Sequence, residues 1–361
     1  MCLDTRPTAD QAALFDTARR LVADLGPNTV AELDDDDRRA RLRRALAETG
    51  VHDLRDAGEG RAPVASGVEA ALVAQALGHG PADVAYLGRL LAGDLRRRAG
   101  GGPDGIARTV ALTADLLGPA TARDGHLVAE AVAIDADAAE RALLVTPDGA
   151  GYRLVEVDLG ATVEIGTDLT RRQLRLAAGT DVAPLDLEPL GPADLVGWTA
   201  LGLAVSTADA VGAMQGGIAL AVDYASHRQQ YGANVGSFQA VQHLLAEAHA
   251  LAEGSLSISR HAAWAVDALE PFEARSATQA ATVYAARAAR TVGETVIQVH
   301  GGIGNTWECL AHVQLRRALL STDLLGGVAP NLARVMAHHG IPGNADLPGP
   351  APGEGSGHGL R

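Results

Sequence analysis

Apolar residues recur at three- and four-residue intervals through the first hundred positions. Ala12, Leu14, Ala18, Leu21 and Val22 form one helical face, and a second pattern begins near Arg38. The acidic run Asp34, Asp35, Asp36 and Asp37 stands just before that second pattern, where the positive end of a helix dipole favours carboxylates; it reads as a solvated cap rather than a metal site. A third helix is expected over residues 66–77 with Gly78 closing it, and a fourth over 81–98. From Ala107 the period shortens. Apolar runs at 109–113, 127–134, 142–145 and 152–157, separated by Gly, Asp and Pro, predict a small antiparallel β domain reaching about Leu190. From Pro192 the helical period returns, with Val211, Met214, Ile218, Val222 and Ala225 on one face. Further helices are expected over 238–269, stopped by Pro271, then 274–300, then 310–325 or beyond, and four long antiparallel helices imply a bundle. The pattern therefore gives an α+β fold that is mainly helical. A helical domain spans 1–107, a β domain 108–190 and a four-helix bundle 191–340, and a Gly- and Pro-rich tail at 341–361 reads as disordered. No internal repeat is found.

Charge narrows the partners. The net charge is −14 and all 30 basic residues are arginine. Such a chain is a poor match for nucleic acid or an anionic membrane surface. Hydrophobic residues make up 47% of it, enough for a sizeable core. Cys2 and Cys309 are far apart and lack metal-ligand spacing, so both are expected to be free thiols in a reducing compartment. No signal-peptide pattern and no apolar run of membrane-spanning length is read, so a cytoplasmic location is expected.

Two segments concentrate the chemistry. In the first, a helix ends in His227, Arg228, Gln229 and Gln230, followed by a loop punctuated by Gly232, Asn234 and Gly236 and by a new helix near Ser237. A guanidinium there suits a pyrophosphate, because its planar fork bonds two oxygens at once. In the second, Gly301, Gly302 and Gly304 let a backbone approach a ligand that a Cβ would obstruct. A Rossmann site is not implied, since that glycine run follows a helical pattern rather than a strand. His243, His249, His300, His312, His338 and His339 match no usual metal-ligand spacing, and Trp198 and Trp264 sit on apolar faces as core residues do.

Taken together, Tyr224, Arg228, Tyr231, Gly232, Phe238, Gln239, Gln242 and His243, followed by Gln298, Gly301, Gly302, Gly304, Glu308, Arg316 and Arg317, resemble the C-terminal domain of the flavin-dependent acyl-CoA dehydrogenases. Residues 69–95 resemble that family's N-terminal helices, and the segment from Asp168 a strand late in its middle domain. The resemblance implies FAD as cofactor, an acyl-CoA as substrate and α,β-desaturation as reaction. It assigns the flavin's adenosine-pyrophosphate end to Arg228, Tyr231, Gln239, Gln298, Gly301 and Gly302, which in the family's homotetramers grip the flavin of the neighbouring subunit.

The resemblance also fails in two places. The middle domain lacks the Thr-Glu-Pro-like loop and the Trp-Ile-Thr-Asn-like strand with which the family holds the flavin ring and the thioester. The two positions that supply the family's catalytic glutamate fall on Gly202 and Leu325, and neither can take a proton. Asp323 and Glu308 are weak substitutes. A chain that keeps the half offered in trans but not the cis half or the base resembles the short subunits of heteromeric dehydrogenases in actinobacterial sterol side-chain degradation. That implies a longer, related partner subunit in a heterotetramer and a bulky steroid-type CoA thioester. A stand-alone flavoenzyme with an unusual base, and a non-catalytic structural or binding relative, remain the alternatives.

Overall fold

A computed structural model describes residues 6–160 and 164–341. Cys2 and the tail from residue 342, read above as a free thiol and as disordered, lie outside the described residues.

Helix α1 (Ala9–Leu25) opens on a reciprocal cap, the Thr8 hydroxyl accepting from the Gln11 N–H at 3.3 Å and the Gln11 side chain from the Thr8 N–H at 2.9 Å. Helix α2 (Asp36–Glu48) is capped by Asp35, which accepts the Arg38 N–H at 2.9 Å, so the acidic run does serve as a helix start. Helix α3 (Gly67–His79) continues past the expected stop at Gly78. That glycine is a packing residue, since a Cβ on it would lie 2.2 Å from the Asp209 carbonyl oxygen. Helix α4 (Leu87–Arg98) starts six residues later than the sequence pattern suggests. Its start is set from a distance: the Asp135 carboxylate accepts the N–H groups of Tyr86 and Gly88 at 3.3 and 3.0 Å, a cap supplied by the β region.

The sheet follows. Its strands are β1 (Arg108–Thr113), the short hairpin β2 (Ala122–Arg123) and β3 (His126–Leu127) beside it, β4 (Ala131–Ala133), β5 (Arg141–Asp148), β6 (Gly151–Asp158), β7 (Glu164–Ile165), β8 (Arg172–Leu176) and β9 (Ala183–Pro184). Among the described residues seven of them order as β7-β8-β4-β1-β5-β6-β9. Two expectations are corrected here. The run 127–134 is broken into β3 and β4, and the sheet is not purely antiparallel, because β1 and β5 pair in parallel from Arg108 opposite Arg141. The intervening β2–β4 segment carries the chain across to the far edge of β1 and back, which a single hairpin could not do.

The bundle consists of α5 (Pro192–His227), α6 (Gln239–Ala268), α7 (Pro271–His300) and α8 (Ala311–Asp323), with a final α9 (Val328–His338). A two-residue hairpin, β10 (Gln229–Gln230) and β11 (Ala233–Asn234), separates α5 from α6. Pro271 both ends α6 and starts α7, where the missing N–H costs nothing. The fourth bundle helix is shorter than expected and stops in the turn that contains Leu325. Helix α5 is long and apolar enough to cross a membrane, contrary to the sequence expectation, yet 89% of its most apolar window is buried inside the protein. It crosses α3 so closely that a Cβ on Gly212 or Gly216 would lie 2.0 Å from the carbonyl oxygen of Gln75 or His79.

One buried ionic cluster ties the layers together. Asp209 on α5 receives Arg317 Nη2 of α8 at 2.7 Å, Arg171 Nη2 from the turn before β8 at 2.8 Å and Ser321 Oγ at 2.6 Å. Arg317 Nη1 also donates to the Ala82 carbonyl at 2.6 Å and to Thr170 at 2.8 Å. Burial opposes ionisation of Asp209, but the charges of Arg317 and Arg171 and the hydrogen bonds from Arg317 and Ser321 outweigh it and hold the carboxyl below its ordinary value. Asp209→Asn removes the carboxylate that faces Arg317 and leaves Arg171 only its longer contacts to Asp168 and Asp135, at 3.6 and 3.9 Å, and should cost about 3–5 kcal/mol, read as a lower urea midpoint. Because the folded pKa is depressed, this stabilisation is present above about pH 4 and is lost as pH falls through the folded value. Acid unfolding should therefore be less steep in the asparagine variant than in the native chain.

Candidate functional site

The first motif lies where α5 runs out. Arg228 leaves the helix in extended geometry with its N–H on the Tyr224 carbonyl at 2.8 Å. The chain then reverses through Tyr231 and Gly232, with φ of 53° and 78°, as the two central residues of a tight hairpin turn. The expected open loop is thus partly closed on itself. Asn234 Nδ2 donates to the Ser226 carbonyl and the Val235 N–H to the Arg228 carbonyl, both at 2.8 Å, which ties the turn back to the helix. The ring of Tyr231 is left 95% exposed. Gln239, the first residue of α6, is exposed as well.

The second motif lies where α7 runs out. Gly301 takes φ 65°, ψ −141°, a conformation that favours glycine, and a short turn to Asn305 follows. Gly304 is packed, its Cβ position 2.8 Å from the Ile297 carbonyl oxygen. Gly302 is different: it is exposed and nothing lies within 4 Å of where its Cβ would be, so the chain's own packing does not require a glycine there. Gln298 is exposed on the last turn of α7.

The ring of His300 joins the motifs. It stacks on Tyr224 with centroids 4.8 Å apart and planes 29° from parallel, which brings the ends of α5 and α7 together. Its Nδ1 is engaged with the Val296 carbonyl at 2.8 Å, and the Cys309 thiol lies beside it. Burial disfavours the Cys309 thiolate, but the hydrogen bonds with His300 and the Ala311 N–H more than offset it and set the thiol below the ordinary cysteine value. Neither Tyr224 nor His300 was singled out as a site residue in the sequence. Both lie within the two motifs, but their contact is made across 76 residues and has no local signature.

The donor set fits a pyrophosphate-bearing cofactor such as FAD. Arg228, Gln239 and Gln298 present exposed side chains with no hydrogen-bond or ion-pair partner among the described residues, and Gly302 leaves room for close approach.

The two positions expected for a catalytic carboxylate meet in the interior. A Cβ on Gly202 would lie 2.4 Å from Leu325 Cδ1 and 3.5 Å from the Leu91 methyls. Leu325 is 1% exposed and holds a left-handed backbone, φ 59° and ψ 32°. The side chain of one position thus fills the space that the other leaves, and the contact is hydrocarbon throughout. Glu308 is exposed. Asp323 is also exposed, and partial desolvation raises its carboxyl although Arg290 pulls the other way.

Residues 202–337 match the family model described as "Acyl-CoA dehydrogenase, C-terminal domain". The acyl-CoA dehydrogenase IpdE2 of Mycobacterium tuberculosis is 32% identical over 259 residues, covering 71% of this chain and 73% of that protein. FadE34 of the same organism is 39% identical over 137 residues, which is 38% of this chain but only 19% of that longer protein. In three dimensions the chain is similar to one in the crystal structure of the ChsE4-ChsE5 complex from Mycobacterium tuberculosis, with a TM-score of 0.76 at 24% identity, over 96% of this chain and 100% of that one.

The contact between His300 and Cys309 can be read directly. In a Cys2→Ser background, alkylation of Cys309 by iodoacetamide should show a midpoint below about pH 8.5, and His300→Asn should raise it and slow labelling at neutral pH several-fold. Identical pH profiles for the two proteins would remove His300 from the account.

Proposed function

Since the chain belongs to the acyl-CoA dehydrogenase family, we propose that it acts as one subunit of a heteromeric, FAD-dependent dehydrogenase that introduces an α,β double bond into an acyl-CoA. The single observation that carries this reading is the contact of Gly202 with Leu325: both base positions are occupied by groups that cannot accept a proton, and they pack against each other. Abstraction of the α-proton needs a carboxylate near neutral pKa within reach of that carbon, so the base belongs to a partner. FAD, when bound, accepts the hydride from the β-carbon.

This chain's part is then binding. Arg228 pairs with pyrophosphate oxygens, and Gln239 and Gln298 offer amide donors. Tyr231 presents an exposed ring, and Gly301 and Gly302 let the backbone come close. Their exposure in the single chain supports a role toward a flavin held mainly by another subunit. The partner we propose is a longer relative carrying the ring-binding loop and the base, in a heterotetramer; a related fold is known from the two-component ChsE4-ChsE5 complex. A bulky, steroid-type CoA thioester in a cytoplasmic setting completes the reading. The division into domains at residues 107, 190 and 340 belongs to the same proposal.

The test is flavin per chain by visible absorbance, for the protein expressed alone and co-expressed with a longer homologue. No flavin alone and one flavin per unlike pair is the expected result. One flavin per chain from the protein alone would overturn the shared site and favour a stand-alone enzyme with another base. No flavin under either condition would favour a structural or binding relative. Arg228→Ala should strip the flavin from the complex while leaving the melting temperature of the isolated chain unchanged, since the side chain has no partner among the described residues.

A further inference from the structure

A cavity of about 780 Å³ lies between α1, α3, the C-terminal half of α5 and α6. Gln215, where the lining first meets α5, stands roughly 20 Å beyond Gly202 along that helix at about 1.5 Å per residue, so the cavity is separate from the Gly202–Leu325 contact. It continues inward as a lobe of about 190 Å³ that shares Leu72, Gln75, Leu256 and Arg260 and is lined further by Trp264. The walls are apolar, from Phe15, Leu72, Ile218 and Leu256. This is the size and texture of a small-molecule site.

Two arginines of the lining have no ion-pair partner among the described residues. Arg19 and Arg260 are both half-buried in the lining, and neither forms an ion pair or a hydrogen bond among the described residues. Arg260 Nε is shielded from solvent with no partner, and the Arg19 guanidinium lies 6.0 Å from the centre of the Phe15 ring. Elsewhere among the described residues the buried arginines Arg38, Arg55, Arg108, Arg171 and Arg317 all have carboxylate partners. Beside them His79 is pushed down to about 4, first by burial and then by the charge of Arg19, so it is neutral at physiological pH. The acidic residues of the lining, Asp16, Asp223 and Glu253, are all on the exposed rim, and none of the described residues that line the inner lobe is acidic.

We propose that this groove binds a small amphipathic molecule bearing one carboxylate, with the carboxylate on Arg260 and Arg19 and the apolar body against Phe15, Leu72, Leu256 and Trp264. A planar carboxylate matches the guanidinium fork. A multiply charged phosphate would meet the three rim carboxylates on entry.

Sodium decanoate and sodium cholate, each compared with its methyl ester, can be titrated calorimetrically into the full-length protein. At least one acid should bind, its ester about tenfold more weakly, and Arg260→Gln or Arg19→Gln should weaken the acid about tenfold while leaving the ester unchanged. Neither arginine has an ion-pair or hydrogen-bond partner among the described residues, so both variants should keep the native melting temperature. The acid–ester comparison on the native chain requires no variant at all. Binding of neither acid, equal binding of acid and ester, or native affinity in both variants would overturn the proposal.

Discussion

The carboxylate of Asp209 is the point on which the three layers of this protein agree. It lies on α5, the central helix, and is met by Arg317 from α8 and Arg171 from the edge of the sheet, while Arg317 reaches on to the Ala82 carbonyl between α3 and α4. Asp135 and Asp168 are buried beside Arg171 as well, and burying such charges is costly; in a low dielectric the cost is offset only when donors find acceptors at good distance. That requirement leaves little freedom in how helices and sheet sit against each other. Apolar contacts alone would tolerate sliding; a forked guanidinium on a carboxylate does not.

Close helix packing extends the same constraint. Gly78, Gly212 and Gly216 bring α3 and α5 nearly into backbone contact, so the middle turns of α5 are packed tightly on α3. Near the C-terminal end of α5, Tyr224 stacks on His300 and sets the end of α7 beside it. The candidate cofactor residues thus sit on helix ends and tight turns anchored to a packed scaffold, while their side chains remain free to meet something outside the chain. At the other half of α5 the same helix carries Gly202, closed off by Leu325 and Leu91. One element therefore presents exposed polar residues at one end and a sealed hydrocarbon contact at the other.

Much of this was legible in the sequence because it depends on local periodicity. The long bundle helices, the strands at β1, β5 and β6, the cap at Asp35 and the two glycine-marked motifs all announce themselves within windows of about ten to thirty residues. So did the identities of Gly202 and Leu325, the positions at which the family resemblance places a carboxylate.

What the sequence could not decide were contacts between segments far apart in the chain. The start of α4 is fixed by Asp135, forty-seven residues beyond Gly88, and Gly78 looked like a helix stop because the Asp209 carbonyl it makes room for lies on another helix. The parallel pairing of β1 with β5 depends on where an irregular segment crosses the sheet. That Leu325 fills the space above Gly202, and that Arg19 and Arg260 share a cavity without partners among the described residues, follow from how helices pack rather than from any pattern along one of them. Identity and period are properties of the chain and were readable from it. Which side chains meet, and which charges are left unpaired, was decided only by tertiary structure, because desolvation and packing act on neighbours in space.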